Sequence, residues 1–114
     1  MFPADRKKIL IGEGVETMLS AAQHPHFRLE DESHIPAWAC LTANRLAGWV
    51  PPVGIEWVGI IVDNDASGTG LDEATSLSRR LRLQKIETVL YYPTETGADW
   101  NDVLLGKSRY IKII

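Results

Sequence analysis

The chain has 114 residues, of which 45% are apolar, and carries a formal net charge of −3 with a pI of about 5.5. This length and composition suit one folded domain with one core rather than a disordered chain. The negative charge argues against a free-standing, high-affinity nucleic-acid binder, because such proteins usually present a basic face. It does not argue against a nucleic-acid enzyme that holds its substrate through another domain or subunit.

Cysteine content and the length of the apolar runs indicate where in the cell the protein is expected. Cys40 is the only cysteine, so the chain contains no internal disulfide and no cysteine-based zinc site. The first eight residues lack a signal-peptide core, and no apolar run approaches the ~20 residues of a membrane span. We therefore expect a cytoplasmic protein without a membrane partner.

Hydrophobic patterning divides the first half of the chain into short elements. A β-branched apolar run predicts a strand buried on both faces, and apolar residues at helical spacing predict an amphipathic helix. The polar, proline-flanked stretch 24–36 predicts a surface loop. In chain order, we predict a strand over Lys8–Gly12, a helix over Val15–Gln23, a strand over 37–41 and a short helix over 43–49 capped by Thr42.

The second half repeats the alternation of strands and helices. We predict a strand over 56–62, a helix over 71–83 capped by Ser67, a strand over 86–92 and a short helix over 100–105 that ends at Gly106. The tail 110–114 is either an edge strand or a stump of cut sequence. Together these elements predict an α/β domain with three layers and a Rossmann-like, mainly parallel sheet of four strands.

Carboxylates stand where two of these strands end. Glu13 follows the first strand, and Asp63 and Asp65 follow the third. Because ligands of open α/β sheets bind beyond the carboxyl ends of the strands, these three side chains should face one site. They would repel each other unless a cation lay between them, and hard oxygen ligands suit Mg²⁺ or Mn²⁺.

These carboxylates also admit interpretations other than a metal site. The stretch 12–17 lacks the third glycine of the dinucleotide fingerprint, and Glu13 would repel a pyrophosphate. The stretch 63–68 matches the start of a calcium-binding loop. Ala74, however, occupies the position of the last ligand of such a loop, which excludes an EF-hand. A phosphatase with Asp63 as nucleophile and Asp65 as general acid, a plain turn, and a helix-start carboxylate at Glu13 remain as alternatives.

Further polar residues have simpler explanations beside functional ones. Asp99 is first of all an N-cap for the last helix, with Asp102 adding favourable charge, although a role at the metal edge is open. Basic residues near the end of the third helix suit a solvated helix terminus, or contacts with phosphate; they are Arg79, Arg80, Arg82 and Lys85. Histidines 24, 26 and 34 are expected to be solvated loop residues. The four tryptophans show no regular spacing, which gives base stacking little support.

A glutamate after the first strand and an Asp-x-Asp after the third resemble the Toprim domain of topoisomerases, bacterial-type primases and several nucleases. The resemblance extends over about residues 8–105, through Ile-Gly-Glu-Gly at 11–14, Asp-Asn-Asp-Ala-Ser-Gly at 63–68 and Asp-Trp-Asn-Asp at 99–102. Together with Gly-Val-Glu-Thr at 14–17 and Ala-Trp-Ala at 37–39, these motifs are most similar to Toprim-like domains of phage and mobile-element primases and primase–helicases. We expect residues 1–114 to form a single domain, which could be a fragment of a longer protein.

The resemblance implies a role for each matching residue. Asp63 and Asp65 would hold Mg²⁺ or Mn²⁺, and Glu13 would bind metal or act as general acid and base. Supporting positions would be Gly14, Glu16, Gly68, Asp99 and Asp102, with Arg79, Arg80 and Lys85 as contacts for phosphate. The implied activity is primer synthesis by nucleotidyl transfer, with DNA or RNA and NTPs as partners and help from a zinc-binding or helicase domain or subunit. A Toprim nuclease and a non-catalytic module that binds metal and nucleic acid are the alternatives.

Overall fold

The computed structural model describes residues 7–29, 35–40, 46, 48–64 and 68–114 of the chain. The strands are β1 (Lys8–Gly12), β2 (Ala37–Ala39), β3 (Trp57–Ile61), β4 (Glu87–Pro93) and β5 (Tyr110–Ile113). The helices are α1 (Val15–Gln23), α2 (Thr69–Leu83) and α3 (Trp100–Leu104), with a 3₁₀ turn at Pro25–Phe27. Over the described residues, the strands form one sheet of order β2-β1-β3-β4-β5. The α/β class with a mostly parallel sheet is confirmed.

The fifth strand extends the predicted sheet of four. Strands β1 to β4 are parallel, whereas β5 pairs with the outer edge of β4 in antiparallel orientation, with Tyr92 opposite Ile111. The tail is therefore an edge strand, the first of the two predicted alternatives. The edge of β4 would otherwise expose a row of unpaired backbone groups, which β5 satisfies.

Most predicted elements occur with small shifts of their ends. Strand β1 and helix α1 have the predicted bounds. Helix α2 begins at Thr69, two residues earlier than predicted, because Gly68 takes up the N-cap position with a φ of +71°. The predicted caps Ser67 and Thr42, and most of the predicted helix 43–49, lie outside the described residues.

Helices cover the two faces of the sheet in different ways. Alternate residues of each buried strand point to opposite faces, so Ile9 and Ile11 face α2 whereas Leu10 faces α1. On the second face, α1 packs against α3, whose Trp100 and Val103 are buried. The core thus consists of two apolar layers with the sheet between them, which leaves the edge at the carboxyl ends of the parallel strands for polar side chains.

The prediction that the stretch 24–36 is a solvated surface loop is wrong for the residues of this stretch that the structure describes. Phe27 and Ile35 are fully buried and join the core on the α1 side. His24 and His26 are half-buried among aromatic rings, with His26 at 5.5 Å from Tyr91 and His24 at 5.4 Å from Tyr110 between ring centroids. Burial lowers the pKa of both imidazoles, that of His26 to about 4 with Lys112 adding to the effect. His34 lies outside the described residues.

Candidate functional site

The order of the strands creates a point at which the chain reverses direction across the sheet. From β1 the chain passes to β2 on one side and then returns to β3 on the other side of β1. Residues Gly12 and Ile61 pair at the ends of β1 and β3. Glu13 follows the first of these strands, and Asp63 follows the second. Such switch points are where open α/β sheets bind ligands.

A cleft of about 460 Å³ opens at this point. Three carboxylates, those of Glu13, Asp63 and Asp99, line it together with the backbone of Gly14 and Gly70. The other lining residues are Thr17, Leu46, Ile61, Val62, Asn64, Gly97 and Ala98. The cleft therefore brings together two of the predicted metal ligands and two of the predicted supporting residues, Gly14 and Asp99. Asp65, the remaining predicted ligand, lies outside the described residues.

Asp63 is held in place by two elements on the α1 side of the sheet. The hydroxyl of Thr17 donates to Asp63 Oδ2 at 2.7 Å, and the backbone N–H of Trp100 donates to Oδ1 at 3.2 Å. Trp100 is itself anchored, because its indole N–H donates to the Val62 carbonyl at 2.9 Å. Each carboxylate oxygen has two lone pairs and can accept more than one bond, so these two donors still allow Asp63 to bind a cation. Hydrogen bonds of this kind fix the direction in which a carboxylate binds a cation.

Asn64 was not predicted to have a role beyond the turn, yet it ties the floor of the cleft together. Its side chain is buried, donates to the Pro93 carbonyl at 2.9 Å and accepts from the Tyr92 hydroxyl at 2.7 Å. Its backbone N–H donates to the Ala98 carbonyl at 3.0 Å. The end of β3 is thereby fastened to the end of β4 and to the loop that leads into α3. In the sequence, the signal is only an asparagine between two aspartates.

The glycines on either side of Glu13 differ in what the fold requires of them. A Cβ at Gly12 would lie 2.5 Å from Met18 Sδ and 2.9 Å from the Ile61 carbonyl, so close packing of α1 and β3 requires glycine there. At Gly14, φ is −100° and a Cβ would make only an ordinary contact of 3.5 Å with Thr17 Oγ1. The fold itself therefore does not require glycine at 14. Its absent side chain leaves space in the cleft beside the Thr17–Asp63 hydrogen bond.

The predicted supporting carboxylates occupy three different positions. Asp99 caps α3 in a reciprocal capping box: Asp99 Oδ1 accepts from the Asp102 N–H at 2.9 Å, and Asp102 Oδ2 accepts from the Asp99 N–H at 3.2 Å. Asp99 also lines the cleft, whereas Asp102 lines a separate, smaller cavity. Glu16 is exposed in the first turn of α1 and, with Asp63, lines a side cavity of about 170 Å³.

The predicted phosphate contacts do not lie at the cleft. Arg79 and Arg80 belong to the last turns of α2, and Lys85 precedes β4, whose first residue pairs with the first residue of β3. Helix α2 starts at the carboxyl edge of the sheet, so its end is at the opposite, amino edge. Arg80 Nη2 donates to the Trp49 carbonyl. None of the three cations lines the cleft.

A family model described as the Toprim domain matches residues 8–109. The chain belongs to the Toprim family. Searches of curated proteins and of solved structures found no match. Toprim membership implies a metal-dependent function connected with nucleic acid, and many members are catalytic.

Toprim domains bind divalent metals such as Mg²⁺, and the donor set of this cleft fits such an ion. Carboxylate oxygens are the hard ligands that Mg²⁺ prefers, and Asp63 is oriented by two donors. Within the described ranges, which omit Asp65, no three His, Cys, Asp or Glu side chains converge closely enough to form a metal cluster. A search of the same ranges found no helix long and apolar enough to cross a membrane.

Proposed function

We propose that this Toprim domain performs Mg²⁺-dependent phosphodiester chemistry on nucleic acid, as a nucleotidyltransferase of the primase type. The observation that carries the proposal is the shared cleft of Glu13 and Asp63, in which Asp63 is fixed by Thr17 and Trp100. The motifs at 11–17, 37–39 and 99–102, which are similar to those of phage and mobile-element primases, support the choice of primer synthesis over other Toprim activities.

In this proposal, Asp63 and Asp65 bind the metal, and Glu13 handles the proton. A bound Mg²⁺ would neutralise and orient the phosphate oxygens of the nucleotide. Glu13 accepts the proton of the attacking 3′-hydroxyl as the new O–P bond forms at the α-phosphorus and pyrophosphate leaves. No hydrogen bond joins the Glu13 side chain to another described residue, so it is available for this transfer. Gly14 leaves room for the nucleotide beside Asp63.

The acidity of the domain bears on how it holds nucleic acid. The cleft is lined by three carboxylates, and the chain has a net charge of −3. Because phosphate contacts from Lys and Arg supply most of the affinity for a nucleic-acid backbone, this domain needs help from outside. We therefore include a zinc-binding or helicase domain or subunit among its partners, together with NTPs.

An extension assay tests the proposal and separates it from its alternatives. The protein is incubated with labelled single-stranded DNA, NTPs and Mg²⁺ or Mn²⁺, beside Glu13→Gln and Asp63→Asn. A matched control is Asp72→Asn, an exposed acidic residue that does not line the cleft. Products that lengthen in wild type and Asp72→Asn only would support primer synthesis. Shortened products would indicate a nuclease, and bound metal with no turnover would indicate a non-catalytic module.

A further inference from the structure

The side cavity of about 170 Å³ adjoins the cleft and shares part of its wall. The residues around it come from α1, from α3 and its cap, and from the end of β3; they are Glu16, Thr17, Ser20, Asp63, Asp99 and Asn101. Three of them, Thr17, Asp63 and Asp99, also line the cleft. Ligand pockets usually measure about 300–1,000 Å³, so the side cavity has room for one group of a ligand whose other groups lie in the cleft.

Ser20 is a buried polar residue of this cavity whose hydroxyl is left without a partner. It is only 8% exposed, and its hydroxyl forms no hydrogen bond with any residue that the structure describes. A serine or threonine within a helix often donates to the carbonyl four residues earlier, as Thr75 does to Leu71 at 2.8 Å, but Ser20 does not. Because a buried hydroxyl without a partner costs free energy, Ser20 favours a ligand that can hydrogen-bond to it.

The charge and polarity of the lining restrict the kind of group that fits. The carboxylates of Glu16, Asp63 and Asp99 would repel a phosphate, and an apolar group would leave Ser20 without a partner. Within the described part of the chain, no three acidic side chains form a cluster that could hold a metal ion. Carboxylates accept hydrogen bonds, whereas the Asn101 amide and the Ser20 hydroxyl can both donate and accept. A neutral group with several hydroxyls, which also donate and accept, matches this lining, and a sugar ring is such a group.

We propose that the side cavity binds the ribose of a ribonucleoside triphosphate, with Glu16 accepting a hydrogen bond from the 2′-hydroxyl and Ser20 bonding to the same sugar. The inference rests on the proposed function, in which the phosphates lie with the metal in the cleft. Because Asp63 lines both spaces, a sugar joined to those phosphates lies next to the side cavity. Acidic side chains recognise ribose hydroxyls in other nucleotide sites as well. A site built on such a contact prefers ribonucleotides to deoxyribonucleotides, because the latter leave its polar groups unpaired.

Calorimetric titration with ATP and with 2′-deoxy-ATP, in the presence of Mg²⁺, tests the proposal without relying on catalysis. A hydrogen bond to a charged group implies a preference for ATP of roughly 10- to 100-fold, and we expect about tenfold because Glu16 is exposed to water. Glu16→Ala should bring the ratio of the two affinities close to one, and Ser20→Ala should lower it. Alanine is the strongest helix former, so both variants keep α1.

Helix α2 offers a matched control for each variant. Asp72 is an exposed acidic residue in the first turn of α2, as Glu16 is in α1, and Ser78 is a serine of α2 that is 5% exposed. Neither lines the cleft or the side cavity. Asp72→Ala and Ser78→Ala should therefore keep the wild-type preference for ATP.

Several results would overturn the sugar site. Equal affinity of wild type for the two nucleotides would do so, as would a preference for ATP that survives both Glu16→Ala and Ser20→Ala. A loss of Mn²⁺ affinity in Glu16→Ala without nucleotide would also overturn it, since the side cavity would then belong to the metal site. A preference for ATP without products in the extension assay would reject the proposed catalysis and keep the sugar site. Extension with equal use of NTPs and dNTPs would keep the catalysis and reject the sugar site, whereas wild type that binds neither nucleotide would overturn both.

Discussion

The hydrogen bond from Thr17 to Asp63 allows the most direct test of the candidate site by mutation. Replacing Thr17 with valine removes the donor and keeps the shape and β-branching of the side chain, so helix α1 is preserved. Asp63 Oδ2 then loses the 2.7 Å bond from Thr17, while the longer, 3.2 Å bond from the Trp100 backbone to Oδ1 remains. We expect Asp63 to sample orientations in which it no longer faces the cleft, and metal affinity to fall as a result.

The magnitude follows from the two bonds. A hydrogen bond to a charged group contributes about 1.5–3 kcal/mol, and removing a partner that orients a metal ligand typically weakens metal binding by roughly 10- to 100-fold. These ranges agree, since about 1.4 kcal/mol is a factor of ten. Because the Trp100 N–H still holds Oδ1, we expect the lower end of that range, a loss of about tenfold in Mn²⁺ affinity.

Calorimetric titration with Mn²⁺ measures this loss, with Thr17→Ser as the control that restores the hydroxyl. Thermal unfolding of the metal-free proteins shows whether Thr17→Val acts on the site or on the fold. If Thr17→Val binds Mn²⁺ as tightly as wild type and Thr17→Ser, the hydrogen bond does not orient a metal ligand, and the reasoning from geometry to affinity is refuted.

Three further predictions concern the frame around the site. Asn64→Ala should lower the free energy of unfolding by about 2–4 kcal/mol in urea, because the Pro93 carbonyl and Tyr92 hydroxyl lose their partner, while Tyr92→Phe should cost less. Gly12→Ala should lower the free energy of unfolding, measured by urea titration, by about 1–3 kcal/mol, whereas Gly14→Ala should lower it by no more than about 1 kcal/mol. Gly14→Ala should nevertheless weaken nucleotide binding, which calorimetry measures. The pKa of His26, lowered by burial to about 4 from 6.5, predicts full stability above pH 6.5 and a decline as pH falls towards 4. After solvent screening that decline should not exceed about 1 kcal/mol per pH unit, and a urea midpoint equal at pH 7.5 and 5.5, or an equal fall in His26→Phe, would contradict it.

The parts of the fold that depend on local patterning could be predicted from the sequence. Buried strands and amphipathic helices show a characteristic spacing of apolar residues along the chain, which is why β1 and α1 have the predicted bounds. The edge strand β5 could not be decided, because its pairing depends on the free edge of β4 rather than on its own four residues. His26 looked solvated because the rings around it, such as Tyr91 and Tyr110, are remote in sequence.

The site shows the same division between local and distant information. Glu13 and Asp63 were predictable because residues that follow parallel strands share one edge of the sheet. The partners of Asp63 were not, since Thr17 and Trp100 reach it from elements 46 and 37 residues away. Arg80 shows what residue type alone leaves open: a guanidinium suits phosphate, but its place near the end of α2 is far from the cleft, so its contact with phosphate stays a prediction.

The two carboxylates on the cleft differ in a way that bears on their roles. Asp63 is half-buried and fixed through both oxygens, so it costs little to hold in a single orientation when it binds a cation. Glu13 is exposed at the start of a loop, where its side chain can reorient. A metal ligand gains from being fixed beforehand, whereas a group that takes up and releases a proton must reach both substrate and water. This contrast supports Asp63 as the ligand and Glu13 as the general acid and base, the division of roles on which the proposed mechanism depends.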